Sequence, residues 1–376
     1  MLTESNPLRV LLVAARYFPY TGGMETHVYE VGRRLARVGV KVTILTTDLS
    51  GQLPTFEDMD GVQVRRVHAW PANKDYYFAP DIYHIIVHGR WNLVHCQGYH
   101  NLVAPLAMLA ASHAKIPYMV TFHSGGDLSY LRNALRRFHW MALRPLLAGA
   151  EYLISVSKWE AEFFSEHLHL PNTRFVIIPN GAHHLPQVPE SAKQAKTNRL
   201  IVSVGRLEHY KGHQRVIAAL PKVREQMPDV RLRIVGTGPY ESTLWKMARR
   251  LGVSEYVDIQ AVPPGDGNGM ASVIGQADLV TLLSEHEAQG IAVMEALALR
   301  RPILVTGICA LQEFVDRGLA RSVPLQSTPE DVALAIVNQL CQPLVPVNVE
   351  LPTWDQCATD LLTLYQTVIW RSQCAS

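Results

Sequence analysis

The sequence predicts an α/β protein built from two doubly wound domains in tandem. Three observations carry that expectation. Short runs rich in valine, isoleucine and leucine alternate with helical stretches along most of the chain, and most are continuously apolar, as in parallel strands covered on both faces. A polar segment at 184–197, with Pro186 and Pro189 and no clear periodicity, interrupts the series. A fresh apolar run, Leu200–Val204, then restarts it.

Taken in order, the first domain (1–183) has candidate parallel strands at Leu8–Ala15, Val40–Thr46, Leu93–Cys96, Pro117–Thr121, Tyr152–Val156 and Phe175–Ile178. Val62–Val67 alternates apolar and polar residues, the pattern of an edge strand. The segment 184–197 is the linker. The second domain (198–354) runs strand Leu200–Val204, helix Gln214–Gln226, strand Leu232–Val235, helix Glu241–Leu251, strand Val257–Ala261. A βαβ unit over Leu279–Val305 follows. A last helix begins near Asp355. In open sheets of this class ligands sit beyond the carboxyl ends of the strands, and two such sheets leave a cleft between them.

Composition narrows the function. At 376 residues, 48% hydrophobic and 18% charged, the chain can fill two cores. A formal charge of +2 argues against a general nucleic-acid binder. Five cysteines are scattered without a C-x-x-C pair, the usage of free thiols in a reducing cytoplasm. The longest apolar patch, Leu102–Ala111, contains Pro105 and is too short to span a bilayer.

The chemistry-bearing residues cluster at strand ends. Gly205 and Gly212 bracket Arg206 and Lys211 just after Leu200–Val204 and just before a helix. Two fixed cations at a helix N-terminus suit a diphosphate, or else are solvated loop cations. Glu287 lies in the polar turn Ser284–Gly290, and Glu295 about two turns into the helix expected to follow. Eight helical residues rise ~12 Å, so this pair cannot share one proton or one metal. It fits either two ends of one elongated ligand or a solvated face. Gly22 and Gly23 form a turn after the first strand, His123 lies at another strand end, and Gly236 at a third.

These residues, in order and spacing, resemble the retaining, sugar-nucleotide-dependent glycosyltransferases of family 4, with the GT-B fold. Ser284, Glu287, Gly290, Glu295, Ala296, Ala298 and Pro302 follow that family's E-x7-E segment, and Val204–Gly212 its VGR-x-x-x-x-KG. Gly22-Gly23-Met24-Glu25 resembles GG-x-E, Thr121–Ser124 the T-x-HG segment, and Ile178–Gly181 the IPNG turn. The resemblance implies GT-B architecture, two Rossmann-like domains facing across a cleft, with helix 355–376 crossing back to the first domain. It implies that Arg206 and Lys211 hold the donor pyrophosphate, that Glu287 binds the sugar hydroxyls, and that Glu295 binds the ribose. Backbone groups at Gly290 and Ile291, and close approach at Gly22, Gly23, Gly205 and Gly236, would complete the donor site. His123 would sit against the donor sugar, with Glu25 and Asp127 on the acceptor side.

The implied reaction moves a hexosyl group from a UDP- or GDP-sugar to an acceptor hydroxyl with retention, on a lipid-linked or saccharide acceptor. Glycolipid, cell-envelope and exopolysaccharide synthesis are the settings it implies. No cofactor is expected. No D-x-D follows a strand, and the two cations would make a metal unnecessary. The chain departs from the family pattern at Ser124, Leu283, Ala288-Gln289, Arg300 and Cys309-Ala310. Most of these changes fall near the sugar pocket and leave the donor sugar open. Rivals are a GT-B relative such as a sugar-nucleotide epimerase, and a subunit that only binds.

One stretch lies outside the family motifs. Leu128–Gly149 reads as a helix with Leu131, Leu135, Phe138 and Ala142 on one face. Arg132, Arg136, Arg137 and Arg144 share the opposite arc with Trp140 and Leu143. That pattern suits the anionic inner face of a membrane, or else a solvated basic face with Trp140 packed inside.

Overall fold

The computed structural model describes residues 7–20, 22–71, 77–99, 101–124, 140–182 and 198–374. The chain divides into two compact units. The first takes in the described residues up to Ser124, the stretch 140–181 and Trp354 onward; the second runs from Ala182 to Thr353. The expected linker, 184–197, lies outside the described residues.

The first unit holds β1 (Arg9–Ala14), β2 (Lys41–Asp48), β3 (Phe56–Met59), β4 (Val62–His68), β5 (Leu93–Gln97), β6 (Tyr118–Thr121), β7 (Leu153–Ser155) and β8 (Phe175–Ile177). They form one sheet in the order β3-β4-β2-β1-β5-β6-β7-β8. Every pairing is parallel except β3 with β4. Its helices are α1 (Gly23–Arg37), α2 (Asp81–Val87), α3 (Val103–His113), α4 (140–148) and α5 (Lys158–Leu168). Alternation along a strand sends successive side chains to opposite faces. Leu11 and Val13 therefore join the core that includes Ile82 and Ile86 of α2 and Ala107 of α3. Leu12 and Ile44 meet α1 beside Gly32. Both faces are covered, which is why these strands carry no polar alternation.

Val62–Val67 is not the edge expected from its alternation. It pairs with β2 on one side and with β3 on the other. The pair β3–β4 is a hairpin closed by Asp60 and Gly61, both at positive φ (53° and 81°), the two-residue turn that suits strand twist.

The second unit holds β9 (Leu200–Val204), β10 (Arg231–Val235), β11 (Val257–Gln260), β12 (Leu279–Leu282), β13 (Ile303–Thr306) and β14 (Arg321–Val323). They are all parallel, in the order β11-β10-β9-β12-β13-β14. Between them run α6 (His213–Gln226), α7 (Glu241–Arg250), α8 (Gly267–Gly275), α9 (Ile291–Ala298), α10 (Cys309–Asp316) and α11 (Pro329–Cys341). This is doubly wound topology, and its order reverses between β9 and β12.

The last helix, α12 (Trp354–Cys374), belongs to the first unit. Trp354, Cys357, Ala358, Leu361, Tyr365 and Val368 recur at helical spacing and are buried. The Tyr365 hydroxyl lies 2.6 Å from Nδ1 of His95, a fully buried residue on β5 whose Nε2 meets Thr121 Oγ1 at 2.8 Å. Arg34 of α1 donates to Asp355 at 2.7 Å.

Candidate active site

The loops leaving β9 and β12 meet at the switch point of the second sheet. After Val204 the chain turns through Gly205 to Arg206, makes a short 3-10 turn over His209–Lys211, and enters α6 at Gly212. Gly212 has φ 75°, and a Cβ there would collide with the Leu283 carbonyl. Only glycine lets the two loops pass this closely. Glu285 N–H donates to the Tyr210 carbonyl at 2.7 Å, and the Tyr210 and His286 rings stack at 4.4 Å and 10°.

This contact brings Arg206, Lys211 and Glu287 into one constellation. Lys211 Nζ lies 2.6 Å from Glu287 Oε1, which also accepts from Ser284 Oγ at 2.8 Å. Their side chains are 16% and 12% exposed. Burial alone would pull the ammonium pKa down; the charge of Glu287 outweighs it and holds Lys211 above its usual value. Arg206 donates from Nη2 to the Tyr210 hydroxyl at 2.6 Å, and its Nη1 lies 3.0 Å from Glu208 Oε1.

Gly236 has a reason the sequence did not suggest. A Cβ there would collide with the Gly205 carbonyl, so it is the crossing of two strand ends that requires glycine. Gly290, at φ 88°, caps α9, which starts at Ile291. That onset corrects the spacing of the two glutamates. Glu287 stands in the turn and Glu295 little more than one helical turn into α9, where it is buried. The ~12 Å helical rise between them does not apply, since only Ile291–Glu295 of that span is helix.

His213 was not singled out from the sequence. It opens α6, is fully buried, and bridges Ser203 Oγ (2.8 Å) and the Arg206 carbonyl (3.2 Å). Since a carbonyl only accepts, Nε2 carries the proton and Nδ1 accepts from Ser203. Burial lowers its pKa to about 4, so it stays neutral and fixes the backbone at Arg206. The signal available was its place beside Gly212.

The departures also have structural form. Arg300 and Cys309 both adopt positive φ, 52° and 47°. The fold keeps the left-handed conformation at each without glycine. Cys309 lies against Glu287, whose backbone hydrogen-bonds its thiol; burial pushes that thiol up to about 11.

In the first unit, Gly22 caps α1 in extended conformation, Gly23 opens the helix, and Glu25 is buried in its first turn. His123, at φ 54°, places Nε2 2.8 Å from Gln97 Oε1, and its ring meets His27 edge-on at 4.6 Å. His27 Nδ1 in turn lies 2.7 Å from Asn180 Oδ1, so the Ile178–Gly181 turn does more than close β8. Buried Glu160 accepts from the backbone N–H of Ser124 (2.5 Å) and of Val156 (2.8 Å), pinning the residue after His123. Asp127 lies outside the described residues.

The surface-binding reading of Leu128–Gly149 needs correction where it can be seen. Trp140 and Leu143 are 3% and 6% exposed, and Trp140 packs against Phe163 and Phe164. Neither lies on an exposed face. Arg144 donates to the Leu168 carbonyl at 3.0 Å, while Arg132, Arg136 and Arg137 lie outside the described residues. Among the described residues no helix is long and apolar enough to cross a membrane, and no three His, Cys, Asp or Glu side chains converge as metal ligands.

Comparison with known proteins fits this picture. Residues 22–181 match the glycosyl transferase 4-like domain, and 187–340 match glycosyl transferases group 1. The chain is 25% identical to the D-inositol 3-phosphate glycosyltransferase of Nocardiopsis dassonvillei over 92% of its length and 89% of the relative's. It is 24% identical to the GDP-mannose:cellobiosyl-diphosphopolyprenol alpha-mannosyltransferase of Komagataeibacter xylinus, over 97% and 94%. The solved structure of Anabaena HepE in complex with UDP and glucose superposes with a TM-score of 0.72 at 16% identity, covering 98% and 100%. Fold and site thus define a GT-B glycosyltransferase. Within that class the chain belongs to the family 4 type.

Proposed function

We propose that the chain transfers a hexosyl group, with retention and without a metal, from a UDP- or GDP-sugar to a hydroxyl of a saccharide or lipid-linked acceptor. The observation that carries this reading is the convergence of Arg206, Lys211 and Glu287 at the switch point of the second sheet. Two cations at the start of α6 suit a diphosphate. Glu287, with Gly290 and Ile291 at the start of α9, suits sugar hydroxyls, and Glu295 the ribose. HepE holds UDP and glucose on the same fold, and one relative is named for a diphosphopolyprenol acceptor.

In this mechanism Arg206 and Lys211 offset the charge that builds on the departing diphosphate. The C1–O bond to that diphosphate breaks first, through an oxocarbenium-like state. The acceptor oxygen then bonds to C1 from the same face, and a diphosphate oxygen takes its proton. His123 and Glu25 of the first unit serve the sugar and the acceptor, and Gly22 and Gly23 let backbone approach them. We place the enzyme in the cytoplasm, in keeping with five scattered cysteines that form no C-x-x-C pair.

The test is transfer of labelled sugar from UDP- and GDP-hexoses to a panel of saccharide and polyprenyl-diphosphate acceptors. Label on the acceptor, lost in Arg206→Ala and Lys211→Ala, supports the reading. A changed donor sugar with no acceptor present points to an epimerase instead. Donor binding without turnover points to a binding subunit.

A further inference from the structure

Both cations of the donor site already hold a carboxylate. Lys211 holds Glu287, to which the proposed function gives a task. Arg206 holds Glu208, to which it gives none. Glu208 stands two residues along the same turn, its N–H donating to the Arg206 carbonyl at 2.8 Å. The two side chains are 35% and 29% exposed, so an incoming anion can reach the pair. The guanidinium is held at both ends: Nη2 donates to the Tyr210 hydroxyl at 2.6 Å, and Nη1 faces Glu208 Oε1 at 3.0 Å. Tyr210 is itself clamped by Glu285 N–H and by the His286 ring. The Tyr210 end is therefore fixed, and the Glu208 end is the one a phosphate oxygen must take.

We propose that Glu208 is the exchange partner of the diphosphate on Arg206, a positioning residue that sets how tightly nucleoside diphosphates are held. This inference rests on the donor site proposed above. Before an anion arrives, Glu208 keeps the guanidinium in place from the side opposite Tyr210. An arriving diphosphate displaces the carboxylate from Nη1, and Arg206 keeps its Tyr210 anchor. When the nucleoside diphosphate leaves, Glu208 takes the guanidinium back, so each step trades one anion for another instead of leaving a bare cation. The pair is partly exposed, so the competition is modest; exchanges of this kind alter an equilibrium by about two- to fivefold. Removing the carboxylate also removes a like charge beside the bound anion, and both effects have the same sign.

The test is calorimetric titration of UDP, GDP and ADP into wild type, Glu208→Gln, Arg206→Ala and the double variant, with steady-state kinetics on the donor that turns over. Glu208→Gln should bind the preferred nucleoside diphosphate about two- to fivefold more tightly. It should lower the donor KM by a similar factor without raising kcat. Structural damage would weaken binding, so a gain separates the two causes. Glu208→Ala should repeat it, and the gain should vanish in the double variant measured against Arg206→Ala. Unchanged or weaker binding in both Glu208 variants, with Arg206→Ala defective, overturns this inference and leaves the donor site standing. Arg206→Ala binding like wild type, or no nucleotide binding at all, overturns the donor site and this inference with it.

Discussion

Lys211 Nζ and Glu287 Oε1 lie 2.6 Å apart although 75 residues separate them in the chain. The contact exists because β9 and β12 are neighbours in the sheet, so the loops that follow them start side by side. It joins the cation proposed to hold the diphosphate to the carboxylate proposed to hold the sugar in one ion pair. Lys211→Ala and Glu287→Gln should each lower kcat/KM about 10²–10³-fold, the usual scale for loss of one charge-stabilising group. Steady-state rates with the preferred donor check this.

Stability should fall with acid in a defined window. His27, His95 and His213 are buried, and burial lowers their pKa from 6.5 to about 4, 3 and 4. A base depressed in the fold contributes its full stability above the unfolded pKa and loses it as pH falls through the folded value. Buried Glu160 acts in the opposite sense, its pKa raised from 4.5 to about 8, so the midpoint should rise as pH falls from 8 to 6.5 and then, with three histidines set against one carboxyl, decline towards pH 4. A midpoint unchanged between pH 7 and pH 5 would contradict these burial effects.

Tyr365→Phe should destabilise the first unit by about 1–3 kcal/mol, because it leaves His95 Nδ1 buried and without its partner. Urea unfolding followed by near-UV signal reads this directly. Activity at temperatures well below the transition should change little, since neither residue is among those proposed to bind donor or acceptor.

Arg300→Gly should stabilise the second unit. Arg300 is exposed at φ 52°, where a side chain costs roughly 1–2 kcal/mol and the greater freedom of glycine in the unfolded chain gives back about half. The expected gain is about 0.5–1 kcal/mol in equilibrium unfolding. No gain would mean that the arginine has contacts that offset its backbone conformation.

Much of the fold was legible because continuously apolar runs mark strands covered on both faces. Leu200–Val204 and Leu279–Leu283 match their strands to within a residue. What failed was local. The alternation in Val62–Val67 suggested an edge, but the Asp60-Gly61 pair just before it was the sign that one more strand lay outside. The onset of α9 was misjudged because Ser284–Gly290 is a loop held by long-range bonds that no period reveals: Tyr210 O to Glu285 N–H, and Lys211 to Glu287. Arg206, Lys211 and Glu287 were legible as a candidate site through their motifs, and the structure pairs Lys211 with Glu287. Glu208, Tyr210 and His213 were not, since their tasks follow from which side chains fold against the first three. Gly236 has a packing reason that no motif shows, since a Cβ there would meet the Gly205 carbonyl.

The place of α12 reverses the order in which the chain can mature. On the ribosome the eight-stranded sheet is made first, yet Tyr365, which closes over His95, follows the whole second unit in the chain. The six strands of the second unit all lie between Leu200 and Val323, ahead of α12 in the chain, so they are available earlier. The half translated later is therefore the half that can finish first, and the opening half waits, incompletely covered, for α12 to emerge.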